Sequence, residues 1–169
     1  MSRFHPLDLD LDDAQLIAIG RFAAQWAFFE TEMTFTISAL GMLVEGDRNM
    51  PHRFNEQLQR WRKLARAYYS TPDVRAACER LIDTAKAAHQ ARSTLAHGRI
   101  IGDPKRRLRR ITVTQHRHLS SGWQVNSATF TPRHIEVVAK AIGTLSNDLI
   151  RFNHLFLAAT PRSLPRRFL

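Results

Sequence analysis

Cysteine is almost missing from this chain, with Cys78 alone among 169 residues. A single thiol closes no internal disulfide and builds no cysteine-based zinc site, which fits a reducing compartment. Long apolar runs are missing as well. Arg21, Glu30 and Glu32 interrupt the most apolar stretch, well short of the roughly 20 residues that a membrane span takes. The opening MSRFHPLDLDLDD is acidic and lacks the apolar segment of a secretory signal. The expectation is a cytoplasmic protein with no membrane partner. There is no internal repeat and no low-complexity stretch, and 44% hydrophobic with 24% charged residues is the balance of a folded globular chain. The length suits one domain with a proper core.

What is abundant is arginine, twenty-one residues against four lysines, in a chain of net charge +10. The excess is unevenly spread. Between 98 and 110, Arg99, Lys105, Arg106, Arg107, Arg109 and Arg110 face only Asp103, and the tail adds Arg162, Arg166 and Arg167. These two short segments account for +8 of the net +10. Cations clustered in this way are the footprint of a polyanionic partner such as nucleic acid.

Along the chain, residues 1–12 form an acidic lead-in. Asp8, Asp10, Asp12 and Asp13 have a faint calcium-loop look, but the glycine turn and the distal glutamate are missing. A helix N-cap at Asp12 or Asp13 is the better reading. From Asp13 to about Val44, Leu16, Ile19, Ala23, Trp26, Met33, Ile37, Leu40 and Val44 recur at helical spacing. Glu30 lies on that stripe, and Gly41 is a weak point near its end. A second helix is expected from near Pro51 to Tyr69, with Phe54, Leu58, Trp61, Leu64, Ala65 and Tyr68 on one face. Ser70-Thr71-Pro72-Asp73 stops it and starts a third, because a hydroxyl cap precedes proline at the first helical position.

The third helix carries Val74, Cys78, Leu81, Ala85, Ala88, Arg92 and Leu95 on a core-facing seam, and Gly98 caps its end. After a basic loop at 102–110 the pattern changes to period two. Residues 111–114 and 123–126 alternate around Leu119-Ser-Ser-Gly122, which reads as a β-hairpin over about 111–130. Thr131-Pro132 opens the last helix, whose seam is Ile135, Val138, Ile142, Leu145, Leu149, Phe152, Phe156 and Ala159. The expected fold is mainly α: an antiparallel four-helix bundle over residues 13–160, a β-hairpin inserted before the last helix, and a basic tail at 161–169.

Arg92-Ser93-Thr94-Leu95-Ala96-His97-Gly98, at the end of the third helix, resembles the motif of the HEPN superfamily: an arginine, a few residues and a histidine near the end of a bundle helix. A first helix with Trp26 and Glu30 on one face is similar to those of the family as well. The resemblance covers roughly residues 13–100 and 131–157. Active members often carry Asn, Asp or His after the arginine, where this chain has Ser93. The resemblance implies a homodimeric, metal-independent endoribonuclease of toxin–antitoxin or phage-defence type, with no cofactor and with an antitoxin or operon partner. Arg92 and His97 would be catalytic, and Glu30, Ser93 and His89 supporting. Arg99, Lys105, Arg106, Arg107, Arg109 and Arg110 would hold the RNA backbone. Other members have lost catalysis, and that alternative implies a module binding nucleic acid, nucleotide or a partner protein.

The residue types suit the chemistry. Metal-free RNA cleavage uses the neighbouring 2′-hydroxyl as nucleophile and needs a proton-transfer group and a cation for the developing charge. Histidine, with an ordinary pKa of about 6.5, supplies the first, and the planar guanidinium grips phosphate oxygens. Five residues on an ideal helix separate Arg92 and His97 by about 140°. Either the helix ends or kinks between them, or two protomers contribute complementary halves. A bland alternative pairs Arg92 with Glu30 across the core and leaves His97 on helix-terminal carbonyls. His116 and His118 share a strand face and could give two metal ligands, but no third is evident, so no metal is expected. Trp61, Tyr68 and Tyr69 fit core or interface better than base-stacking platforms.

Overall fold

The computed structural model describes residues 11–97, 99–102, 111–119 and 122–157, with side chains described outside 97, 99–102, 115–119 and 122–123. The order of elements is α1 (Asp13–Val44), α2 (Phe54–Tyr68), α3 (Pro72–His97), β1 (Arg99–Gly102), β2 (Ile111–Leu119), β3 (Gly122–Phe130) and α4 (Pro132–Phe156). The protein is therefore mainly α, with an antiparallel sheet before its last helix. The acidic lead-in up to residue 10, the glycine at 98, the cluster at 105–110, Ala159 and the basic tail lie outside the described residues.

Helix starts follow the capping chemistry. Asp12 N–H donates to Gln15 Oε1 at 2.8 Å and Gln15 N–H returns the bond to Asp12 Oδ1 at 2.9 Å, a reciprocal capping box that opens α1. Thr131 does the same for α4: its Oγ1 accepts the His134 N–H at 3.2 Å, and its own N–H points to His134 Nδ1 at 3.4 Å. Pro72 takes the first position of α3, where its missing N–H costs nothing.

The chain divides into two compact units, residues 1–29 with 85–144 and residues 30–84 with 145–169. α1, α3 and α4 each contribute to both. In the first unit Ala18, Phe22, Trp26 and Phe29 of α1 are buried with Ala85 and Leu95 of α3, Ile111 and Val113 of β2, and Ile135, Ala139 and Ile142 of α4. α1 and α4 run in the same direction here, since Arg21 pairs with Glu136 at 3.4 Å and Gln25 lies against Gly143. This corrects the expectation of an antiparallel arrangement throughout. A short link forces neighbouring helices to oppose each other, whereas the long connection from α3 to α4 leaves their directions free.

The sheet of this unit has the order β1-β2-β3. The expected hairpin is present, pairing Ile111 with Phe130 and Leu119 with Gly122. A third strand was not expected: residues 99–102 pair antiparallel with β2, from Arg99 opposite Thr114 to Gly102 opposite Ile111. Its sequence, Arg-Ile-Ile-Gly, is too short to show alternation, and its arginine belonged to the cationic count. Ile111 and Val113 point to the core, while Thr114 Oγ1 meets Ser127 Oγ at 3.3 Å on the opposite face, in keeping with the strand period of two.

In the second unit Met33, Thr36, Ile37 and Leu40 of α1 are buried with Leu58, Trp61, Leu64 and Ala65 of α2, Cys78 and Ile82 of α3, and Leu145, Ser146, Leu149, Phe152 and Asn153 of α4. Tyr69, rather than Tyr68, is the buried aromatic after α2, and its ring meets Phe152 and Phe156 edge-on, with centroids 5.3 and 6.3 Å away. The Tyr69 hydroxyl is buried without a hydrogen-bond partner, and burial, then the Cys78 and Tyr68 charges, push its pKa up. Burial also pushes the Cys78 thiol up to about 12, helped by the Glu79 charge, which leaves it an unreactive core residue.

α2 and α3 are antiparallel, as their three-residue link requires. Arg62 bridges Glu79 (2.6 Å) and Asp83 (3.0 Å), and Arg66 holds the other Glu79 oxygen at 3.0 Å. Burial alone would raise the Glu79 pKa, but the hydrogen bonds and charges of Arg62 and Arg66 outweigh it and hold the carboxyl below its usual range.

α1 stops at Val44 because the chain reverses through Gly46, which sits at φ 69°, in the left-handed region. The turn folds back on Gly41, whose carbonyl accepts the Glu45 N–H at 2.8 Å. Arg60 clamps the turn through Glu45 at 3.1 Å and Asp47 at 3.6 Å. Gly41 is thus a position of close approach and not simply a weak point in the helix. By length and composition α1 passes for a membrane-crossing helix, with an 18-residue window of mean hydropathy 1.2 despite its interrupting charges. This corrects the reading of its apolar stretches as far too short. Core helices of soluble proteins pass the same test.

Three substitutions test this account. A Cβ at Gly41 would overlap the Asp47 carbonyl oxygen and lie 3.2 Å from Arg60 Nη2. Gly41→Ala is expected to destabilise by about 1–3 kcal/mol in urea unfolding, against the gain of about 1 kcal/mol that alanine ordinarily brings to a helix. Tyr69→Phe removes a buried hydroxyl with no partner and is expected to leave stability unchanged or raise it by about 1 kcal/mol. A clear loss there would mean the hydroxyl is hydrogen-bonded after all. Glu79 has a lowered folded pKa, so its contribution is full above the unfolded value of about 4.3 and is lost as pH falls through the folded value. Unfolding of the native chain and of Glu79→Gln should differ most at neutral pH and converge in acid.

Candidate functional site

The last turns of α3 hold the residues that the sequence singles out. The buried row of this helix runs through Cys78, Ile82 and Ala85, then continues through His89 and Arg92, both half-buried, one turn apart. It departs from the expected seam at Ile82, buried where Leu81 was expected and is half-buried, while Ala88 and His89 are both half-buried. Arg92 is half-buried, as are Ala91, Ser93 and Thr94 around it.

His89 packs against the buried Trp26, with ring centroids 5.8 Å apart and planes tilted by 39°. Trp26 in turn meets Phe29 at 5.5 Å. The first half of α1 and the end of α3 are thereby joined through aromatic contact. His89 and Arg92 are brought onto one face by their spacing of three residues. Thr94, half-buried, donates its hydroxyl to the Gln90 carbonyl at 3.1 Å. Ser93 is half-buried.

His97 is the final residue of α3, and the side chain at this position lies outside the described residues. α3 is helical from Pro72 through His97, so the helix does not end between Arg92 and His97. On an ideal helix, backbone positions five apart are separated by about 140°. Arg99 begins β1 immediately afterwards, at the register position opposite Thr114. Its side chain, and the whole of Lys105, Arg106, Arg107, Arg109 and Arg110, lie outside the described residues. So do the side chains of His116 and His118, which occupy β2 positions opposite Val125 and Trp123.

Glu30 does not sit on the buried row of α1. That row is Gln15, Ala18, Phe22, Trp26, Phe29, Met33, Thr36, Ile37 and Leu40, and Glu30 flanks it, half-buried. The expected stripe was one residue out of phase at its start, where Leu16 is 49% exposed and Gln15 is buried. The reason is chemical: Gln15 is drawn in by its capping bonds with Asp12, and α1 is apolar on several sides, so periodicity alone selects its inner face poorly. Glu30 belongs to the second compact unit and Arg92 to the first.

The sequence reading missed a buried polar pair in the second unit. Asn153 Nδ2 donates to Thr36 Oγ1 at 2.8 Å, and Thr36 Oγ1 donates to the Glu32 carbonyl at 2.7 Å. The signal was available. Thr36 stands between Met33 and Ile37 and Asn153 follows Phe152, so each is a polar residue within an apolar row.

Comparison with known proteins adds no relative: no family model matches the chain, and neither the curated proteins nor the solved structures contain a significant match.

Proposed function

We propose that this protein is a metal-independent endoribonuclease of HEPN type that works as a cytoplasmic homodimer with its four helices arranged as a bundle, in a toxin or defence setting with an antitoxin or operon partner. The observation that carries the reading is the end of α3. Arg92 is half-buried, His97 is the last helical residue, and Arg99 opens β1 two residues later. In this reading Arg92 stabilises negative charge on the phosphate during attack by the 2′-hydroxyl, and His97 moves the proton. Arg99 and the 105–110 cations hold the RNA backbone and confer salt dependence.

The unbroken helix supports the dimer. Side chains about 140° apart on one helix address different directions, so a single phosphate would be served by Arg92 of one chain and His97 of another. His89 shares the Arg92 face and, packed on Trp26, belongs to the positioning of that arginine. Ser93 favours a second reading, a non-catalytic module of the same build. It follows the arginine where active members of the family often carry Asn, Asp or His, and such a module would bind RNA or a partner without turnover.

RNA cleavage in excess EDTA separates the two. Catalysis predicts cleavage that persists with chelator and falls by at least about a hundredfold in His97→Ala, with a comparable loss in Arg92→Lys because lysine lacks the bidentate fork. Cleavage that survives His97→Ala, or disappears with chelator, would overturn the mechanism. Salt-sensitive binding without turnover, weakened by neutralising Arg106, Arg107, Arg109 and Arg110, would instead establish the binding module.

A further inference from the structure

The sheet of the first compact unit has two edges, and they are built differently. β1 offers only four residues and begins with Arg99, and a short edge with a cation resists pairing with another chain. β3 has neither guard. It runs for nine residues, Gly-Trp-Gln-Val-Asn-Ser-Ala-Thr-Phe, with no charge and no proline, although the chain as a whole is 24% charged. Its register against β2 advances one for one from Leu119–Gly122 to Ile111–Phe130, so no bulge turns the edge away.

Alternate residues of an edge strand direct their N–H and C=O groups outward. Among the described residues no strand lies beyond β3, and no backbone hydrogen bond reaches it from outside the sheet. The side chains around its centre are open as well. Gln124, Val125, Asn126 and Ser127 are all exposed, Val125 by 55%, so neither face of the strand is covered there. β1 pairs with β2 only as far as Thr114. Beyond that point the described sheet is a two-stranded ribbon, which is marginally stable in water on its own. A further strand along β3 would stabilise it.

The strand suits a second copy of itself. Two β3 edges related by a twofold axis normal to the sheet run antiparallel. Opposed residues of an antiparallel pair share a face, so the axis passes through a residue and not between two. An axis at Asn126 matches all nine residues of each strand, whereas axes at Val125 or Ser127 leave strand ends unmatched. It sets Val125 opposite Ser127 and Gln124 opposite Ala128 of the second copy, with no like charges along the pairing. Such a contact is isologous: it uses one edge of each chain and closes at two.

We propose that the chain dimerises by antiparallel pairing of β3 with β3 of a second copy, with the twofold axis at Asn126, joining the two three-stranded sheets into one. The inference deepens the homodimer reading and rests on it for the second copy, but it requires no RNA cleavage.

Cysteine crosslinking reads the register. The native thiol, Cys78, is buried, so an introduced thiol reports alone. Asn126→Cys should form a covalent dimer under mild oxidation, because its two copies face each other within disulfide reach. Gln124→Cys should stay uncrosslinked, since its two copies would lie roughly 13 Å apart along the strands. In sedimentation of the full chain, the native protein should be a dimer. Val125→Lys combined with Ser127→Lys opposes like charges twice and should weaken it by at least about tenfold. Mixing that variant with Val125→Glu combined with Ser127→Glu should restore association. Both positions are exposed, and circular dichroism checks that each variant folds. A monomeric native chain, a dimer indifferent to the lysines, or Asn126→Cys crosslinking no better than Gln124→Cys would each overturn the proposal. A dimer indifferent to the lysines would leave the homodimer standing on another surface, so the two readings fail separately.

Discussion

The buried row of α1 is the constraint on which the rest of the protein depends. One continuous helix supplies Ala18, Phe22, Trp26 and Phe29 to one compact core and Met33, Thr36, Ile37 and Leu40 to another. Each of these side chains is 4% exposed or less, so a change of even one methylene would be felt in a close-packed interior. The same row carries the tryptophan that receives His89 and the threonine that orients Asn153.

Charge is organised differently along the chain. On α2 the cations are consumed locally: Arg60 and Lys63 hold the turn after α1, and Arg62 and Arg66 hold the acidic face of α3. Each of these pairs has at least one half-buried partner, and they tie the turn after α1 and the start of α3 to α2. The net positive charge arises elsewhere, in the segment around β1 and in the tail. The cations of α2 are thus matched by nearby carboxylates, while the two other segments carry +8 of the net +10 in sequence.

The buried polar groups divide along similar lines. Gln15 is satisfied by its capping box and Thr36 by the Glu32 carbonyl, while Tyr69 Oη and Asn153 Oδ1 are buried without donors or acceptors. Tyr69 is enclosed by aromatic edges, so its hydroxyl is a residue of packing. Asn153 Oδ1 has essentially no accessible surface, so it too is enclosed by packing.

Local rules made much of this protein readable from its sequence. Helix starts at Asp12, Pro72 and Thr131, the extent of α1, and the hairpin over 111–130 all follow from capping chemistry and from periods of 3.6 and two, which act between near neighbours. Tertiary packing alone decided the rest. It turned α1 by one residue at its start, so that Gln15 and not Leu16 is inside, and it placed Glu30 beside the buried row instead of on it. It set α4 parallel to α1, recruited residues 99–102 as a third strand, and made Gly41 a contact point. It also oriented the Asn153 carbonyl. Each of these depends on which distant segment arrives, and long connections and all-round apolar helices leave that choice to the packing of the assembled cores.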